Sequence, residues 1–94
     1  MSYYNTTSLS GEELQQAVIQ AEKQEDAVLF LFRMNERLTP SEAWIKYNQI
    51  TNNNTPLTSI RRAITNLEHN TRLVKLEDQK IGLYGRKEGV WKLF

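Results

Sequence analysis

Two adjacent arginines, Arg61 and Arg62, lie in the segment TPLTSIRRAITNLEHNTRLVKL, residues 55–76, among several other side chains that form hydrogen bonds. A guanidinium group can donate two parallel hydrogen bonds to a guanine edge, an asparagine amide can pair with adenine, and a hydroxyl group can bind bases or phosphates. The residues that carry such groups are Thr58, Ser59, Arg61, Arg62, Thr65 and Asn66. Two interpretations are open: a face that contacts a nucleic acid, or an ordinary solvated helix surface.

The apolar residues of the same segment predict a helix that turns these groups outward. Their spacing of three and four places Leu57, Ile60, Ile64 and Leu67 on one face, which must pack inward. Thr55 as the cap and Pro56 in the first turn predict the start of this helix, which runs to about Asn70. Arg61 and Arg62 are left on the outer surface.

Another helix is predicted just before it. Thr39 is typical of a helix cap, Pro40 of the first helical position and Glu42 of the third, so this helix runs from about Pro40 to Ile50. Its expected buried residues are Ala43, Tyr47 and Ile50. The polar sequence TNNNT, residues 51–55, predicts a turn, because asparagine tolerates left-handed backbone angles. Two helices joined in this way form a helix-turn-helix.

A helical pattern also precedes this pair. Residues 1–9 have no periodicity and predict a flexible arm, after which Ser10 is expected to cap a helix. The apolar stripe that follows comprises Leu14, Ala17, Val18, Ala21, Val28, Leu31 and Phe32. One helix to about Glu36, or two broken near Gln24, would fit this pattern. The first part of the stripe suits either a homodimer contact or packing within the chain.

After Asn70 the period changes from a helical one to an alternating one. The sequence RLVKLE, with Val74 and Leu76, and the sequence GVWKLF, with Trp91 and Leu93, predict two strands of a hairpin. The glycine-rich and charged sequence DQKIGLYGRKE is expected to form a long loop between them. Lys80, Arg86 and Lys87 in this loop are candidate phosphate contacts; the alternative is a solvated hairpin tip.

The net charge of +1 conceals an asymmetry between the two halves of the chain. Residues 1–54 carry four basic and seven acidic side chains, a net charge of −3, whereas residues 55–94 carry eight basic and four acidic ones, a net charge of +4. A polyanion is therefore expected to bind the C-terminal half.

The composition argues against catalysis and against a bound metal. The chain has no cysteine, and no serine or carboxylate pattern near His69, the single histidine, suggests a relay. Adjacent acidic pairs such as those at residues 25–26 and 77–78 point to different sides of a helix or strand and do not form a metal pocket, and no glycine-rich phosphate loop is present. We expect no enzyme activity, no catalytic or metal site, no cofactor and no small-molecule substrate.

The hydropathy predicts a protein of the cytoplasm, associated with the nucleoid if the source is bacterial. The longest apolar run, residues 27–32, is far shorter than the roughly 20 residues that cross a bilayer. The N-terminal sequence lacks the basic and apolar regions of a signal peptide. No membrane partner is expected.

The segment TPLTSIRRAITNLEHNTRLVKL, followed by IGLYGRKEGVWKL, resembles the winged helix-turn-helix superfamily, in particular small DNA-binding proteins encoded by bacteria, plasmids and phages. The resemblance covers about residues 24–94. It implies that the third helix enters the major groove, that the hairpin is a wing that touches phosphate or the minor groove, and that a short strand near Leu38 joins the hairpin. One departure is that relatives usually have glycine where the third helix ends, whereas this chain has Asn70 and Thr71.

The sequence therefore predicts one α+β domain over residues 10–94: three to four helices followed by a two-stranded β-hairpin, with a helical extension at 10–23 and the winged-helix core at 24–94. The expected partner is double-stranded DNA and the expected role that of a small transcriptional regulator. The alternative is an adaptor that binds another protein through Trp44, Ile45 and the N-terminal helix.

Overall fold

The computed structural model describes residues 11–82 and 85–94. Four helices precede an antiparallel two-stranded ribbon: α1 is Gly11–Gln20, α2 is Gln24–Met34, α3 is Pro40–Thr51, α4 is Leu57–His69, β1 is Leu73–Ile81 and β2 is Lys87–Leu93. The predicted α+β layout of four helices followed by a two-stranded hairpin is confirmed, and it is consistent with a winged-helix-like arrangement. The predicted arm over residues 1–9 and the predicted cap at Ser10 lie outside the described residues.

The N-terminal helical pattern forms two helices rather than one. The break falls before Gln24, where Lys23 has an extended backbone, with φ −105° and ψ 140°, and serves as the N-cap of α2. Helix α1 packs against α2 and α3, and this packing buries Leu14 and Val18. The stripe that suggested a homodimer contact is therefore covered by the chain's own helices.

Helix α3 begins as its sequence predicts. The hydroxyl of Thr39 accepts a hydrogen bond from the backbone N–H of Glu42, and the Glu42 carboxylate accepts one from the backbone N–H of Thr39. This reciprocal pair satisfies two donors that the helix itself leaves without partners. The helix ends at Asn52, which has the left-handed backbone expected of an asparagine in the turn, with φ 57° and ψ 30°.

The predicted cap of α4 at Thr55 is wrong. The N-cap position is occupied by Pro56, and no side chain caps the helix there. The backbone of Thr55 is instead held by α3: its N–H donates to Asn48 Oδ1 at 3.0 Å, and its carbonyl accepts from Asn48 Nδ2 at 3.0 Å and from Trp44 Nε1 at 2.6 Å. These backbone hydrogen bonds to α3 place Thr55 in the turn between the two helices.

Helix α4 ends in a hydrogen-bonded turn without glycine. The backbone N–H of Thr71 donates to the carbonyl of Glu68, and that of Arg72 donates to the carbonyl of Leu67. This pair of hydrogen bonds requires a residue with left-handed backbone angles between the helix and the next segment. That residue is Thr71, at φ 57°, and not Asn70, at φ −89°.

The core lies between α2, α3 and α4, and one end of the ribbon closes it. The predicted inward residues of α4 are buried except Leu57, which is half-buried. Ala63 and Leu73 are also buried, although the helical and alternating patterns did not single them out. The fully buried members of the whole core include Val28, Leu31, Phe32, Ala43, Ile60, Ile64 and Leu73.

The ribbon is longer, and its loop shorter, than the sequence predicts. Pairing runs from Leu73 opposite Leu93 to Ile81 opposite Lys87, so much of the predicted loop belongs to the strands. An irregularity between Lys75 and Gln79 gives β1 two more residues than β2 over the same stretch. The predicted short strand near Leu38 is present as a single bridge to Trp91, with two backbone hydrogen bonds of 3.0 Å.

Candidate nucleic-acid interface

The two arginines of α4 lie on opposite edges of its outward face, because successive residues of an α-helix are separated by about 100° around the axis. Arg61 shares its edge with Glu68, whose carboxylate accepts a 3.0 Å hydrogen bond from Trp91 Nε1 of the ribbon. Arg62 shares the other edge with Asn66, whose Nδ2 donates to Glu25 Oε2 of α2 at 2.8 Å. One guanidinium thus lies on the ribbon side and the other on the α2 side.

Exposed hydroxyl groups lie between the two arginines. Thr58 and Thr65 are both exposed and, being seven residues apart, point in nearly the same direction. Thr65 Oγ1 donates to the carbonyl of Arg61 at 3.0 Å, which leaves its oxygen free to accept. Ser59 is half-buried on the α2 side. The outward face therefore combines two cationic edges with a polar centre.

Neither Arg61 nor Arg62 forms an ion pair within residues 11–82 and 85–94. Both side chains are exposed. Glu68, which lies two turns along the edge of Arg61, uses its carboxylate on the Trp91 indole. Within the described part of the chain, both guanidinium groups of this face are exposed and have no carboxylate partner.

Asn66 differs from the free base-reading amide that the sequence predicts. It is half-buried, and its hydrogen bond to Glu25 ties the C-terminal half of α4 to the first turn of α2. Its carbonyl oxygen remains an acceptor, but its position in the helix is fixed by this contact. The two residues are 41 positions apart, so no local sequence signal pairs them.

The three candidate cations of the ribbon are in two different states. Lys80 Nζ forms a 3.0 Å ion pair with Glu42 Oε2 at the start of α3. Arg86 and Lys87 are exposed, and neither has an ion-pair partner among the described residues. The turn beside them contains Gly85, whose φ of 77° is accessible to glycine at little cost. Arg86 and Lys87 are therefore the more available pair.

The carboxyl group of Glu42 links this ion pair to the α3 cap. Burial alone would raise the pKa of Glu42, but the backbone N–H of Thr39 and the ammonium group of Lys80 favour the charged form more strongly. The net effect is a pKa below its ordinary value of 4.5. Glu42 is thus ionised at neutral pH and holds Lys80 against α3.

A second contact anchors the ribbon at the same place, and no pattern in the sequence predicts it. The Glu88 carboxylate accepts hydrogen bonds from both the backbone N–H and the hydroxyl group of Ser41, in the first turn of α3. A carboxylate is favoured there by the unpaired N–H groups and the dipole of the helix. Nearby, Arg37 and Asp78 form an exposed ion pair of 2.8 Å.

The two tryptophans have structural contacts. Trp44 is half-buried, packs against the core and donates its indole N–H to the turn at Thr55. Trp91 also packs against the core, and the Lys75 ammonium lies 5.3 Å from the centre of its ring. Ile45 has 37% of its surface exposed. Tyr84 lies outside the described residues.

Within residues 11–82 and 85–94, no group of three or more histidine, cysteine, aspartate or glutamate side chains is arranged to hold a metal ion. No helix in that part of the chain has the length and apolar character needed to cross a membrane. Comparisons of the chain with models of protein families, with curated proteins and with solved structures found no match.

Proposed function

We propose that this chain binds double-stranded DNA and acts as a small transcriptional regulator of the winged-helix type. The observation that carries the proposal is the outward face of α4, on which the exposed groups of Arg61 and Arg62 have no ion-pair partner in the described residues. Arginine side chains on such a face can bind guanine edges or phosphates.

The size of the helix supports docking in the major groove. An α-helix with its side chains is roughly 10–12 Å wide and the major groove of B-form DNA is about 12 Å wide. A helix in the groove therefore presents its centre to the bases and its two edges to the two phosphate backbones. In α4 the centre contains Thr58 and Thr65, and the arginines mark the edges.

The ribbon supplies the remaining contacts in this proposal. Arg86 and Lys87 bind phosphates. Lys80 is already paired with Glu42, so it would have to give up this ion pair to bind a phosphate in the same way. Contacts with phosphates position a protein on DNA, and contacts with base edges give sequence preference. The Ser41–Glu88 contact supports both by fixing the ribbon on α3.

The test is a titration of the protein with duplex DNA at several salt concentrations, first with random sequences and then with a site chosen by selection from a random library. We expect binding that weakens steeply as salt rises, because each neutralised phosphate contributes a slope of roughly −0.9. Substitution of Arg61 or Arg62 by alanine is expected to weaken binding to the selected site by roughly 1 to 3 kcal/mol each.

Arg72→Ala is the matched control, since Arg72 is exposed but lies beyond the end of α4. It should retain nearly wild-type discrimination between the selected site and random DNA. Unchanged binding by both α4 variants, with all three proteins folded by circular dichroism, would contradict the proposal.

The adaptor interpretation has weaker support. Its main candidate, Trp44, uses its indole N–H within the chain and packs its ring on the core. The N-terminal helix likewise buries Leu14 and Val18 internally. The exposed large apolar side chains of these elements are Ile45, with 37% of its surface exposed, and Ile19 of α1, with 50%.

A further inference from the structure

A groove of about 420 Å³ runs along the α2 edge of α4, next to Arg62. It is lined by Lys23, Gln24 and Glu25 from the start of α2 and by Ser59, Arg62, Ala63 and Asn66 from α4. Two separate elements thus contribute to one concave surface, on the side of α4 away from the Glu68–Trp91 contact. Neither the ribbon nor the outward face of α4 includes Lys23.

The lining of the groove is polar and has an excess of positive charge. Lys23 and Arg62 are both exposed, and neither has an ion-pair partner among the described residues. The single carboxylate of the lining, on Glu25, accepts the hydrogen bond from Asn66. Ser59 adds a hydroxyl group, and Ala63 is the sole apolar side chain of the lining. These groups suit a small anion better than an apolar partner.

If α4 docks in the major groove of DNA, the position of this groove indicates which anion it would bind. With α4 in a major groove of about its own width, the α2 edge must lie against one of the two sugar-phosphate backbones. The groove opens at that edge, and its two cations come from different helices. A phosphodiester group of that strand would therefore lie between Lys23 and Arg62.

We propose that this groove is a second phosphate-binding site, in which Lys23 and Arg62 hold one backbone phosphodiester of the duplex on the side of α4 opposite the ribbon. This inference rests on the proposed DNA binding and extends it, because it places a contact on α2, outside the helix-turn-helix pair and the ribbon. The protein would then contact phosphates of the duplex on both sides of α4, through the ribbon on one side and through this groove on the other.

The test compares the salt dependence of binding to a random-sequence duplex for the wild-type full chain and for Lys23→Gln. The variant should show a slope of log affinity against log salt that is less steep by about 0.9, the contribution of one phosphate. Between about 50 and 200 mM salt, the wild-type affinity should consequently fall roughly 3.5-fold more than that of the variant. Lys23 makes no side-chain cap hydrogen bond, so α2 should fold normally in the variant.

Two further variants make the comparison specific. Lys23→Arg keeps the charge and should keep the wild-type slope. Lys92→Gln removes the same charge from an exposed position opposite Val74, at the end of the ribbon away from its turn, and should also leave the slope unchanged.

The outcomes separate this inference from the proposed function. If the wild type binds with a steep slope and Lys23→Gln has that same slope, the second site is overturned while DNA binding stands. An equal reduction by Lys92→Gln would also overturn the site, since the effect would then reflect net charge. Absence of wild-type binding at low salt would overturn both.

Discussion

Asn48 of α3 pairs both atoms of its side-chain amide with the backbone of Thr55: its Oδ1 accepts from the Thr55 N–H and its Nδ2 donates to the Thr55 carbonyl, each at 3.0 Å. The side chain thereby replaces a backbone partner for a residue in the turn between α3 and α4. The angle at which α4 leaves this turn, and so the direction of its outward face, depends on that pairing.

We expect Asn48→Ala to destabilise the protein by roughly 1 to 3 kcal/mol, because two partly buried hydrogen bonds are lost and the Thr55 N–H needs a new partner, whereas the Thr55 carbonyl keeps its bond from Trp44. The measurement is the free energy of unfolding from urea titration. Asn54→Ala is the control, since Asn54 lies exposed in the same turn. Similar unfolding free energies for the two variants would contradict the structural role of Asn48.

Thr71→Gly is expected to stabilise the protein by about 0.5 to 1 kcal/mol. A β-branched residue in a left-handed conformation costs roughly 1–2 kcal/mol, of which the greater freedom of glycine in the unfolded chain offsets a part. Thermal or urea unfolding measures the change. The neighbouring substitution Asn70→Gly should do the opposite, because Asn70 already has a negative φ, so glycine relieves no strain there and only increases the freedom of the unfolded chain. Destabilisation by Thr71→Gly would show that this turn is not under strain.

The contribution of Glu42 to stability should decline in acid. Because its pKa is lowered in the folded state, its stabilising effect is complete above its ordinary value of 4.5 and is lost as the pH falls through the folded pKa. Glu42→Gln keeps an oxygen for the cap but removes the charge that binds Lys80. The difference in unfolding free energy between wild type and variant should therefore shrink as the pH is lowered. A difference that grows in acid would reverse the assignment.

Glu88→Gln should loosen the ribbon on α3. The carboxylate accepts two hydrogen bonds from Ser41, and hydrogen bonds to charged groups contribute roughly 1.5–3 kcal/mol each, less where water has access. We expect faster hydrogen exchange at the ribbon amides than in the wild type, with exchange in α2 little changed. Glu77→Gln removes a charge from an exposed position of β1 and serves as the control. Equal exchange rates in the two variants would remove the anchoring role.

The sequence predicted the helices well where the signals were local. The capping box at Thr39 and the three-and-four spacing of α4 depend only on neighbours along the chain, and both are present in the structure. The cap at Thr55 failed although its signal was similar, because Asn48 and Trp44, seven and eleven residues earlier, bind its backbone.

The ribbon was under-predicted for a physical reason. Residues 77–81 of β1 are exposed on both faces, so they lack the alternation of apolar and polar side chains by which a half-buried strand is recognised. Their conformation follows from pairing with β2, which begins at Lys87 after the turn. Pairing between two strands leaves no periodic pattern of apolar residues in either strand when both faces of the pair are exposed.

The sequence predicted which residues form the candidate site, but not the residues of the same chain with which they form hydrogen bonds and ion pairs. The outward position of Arg61 and Arg62 follows from the apolar stripe, whereas the contacts of Asn66, Lys80 and Ser41 join residues that are 38 to 47 positions apart. Such pairs depend on how the helices and the ribbon pack. A single sequence does not specify that packing through local spacing.

The surroundings of Trp91 also have a spectroscopic consequence. Its indole N–H donates to Glu68 on α4, the Lys75 ammonium on the opposite strand lies 5.3 Å from the ring centre, and the backbone of Trp91 pairs with Leu38. In a Trp44→Phe background, its fluorescence emission would come from the point where the ribbon meets α4. A ligand that shifts the ribbon relative to α4 would then change the wavelength of maximum emission without any attached dye.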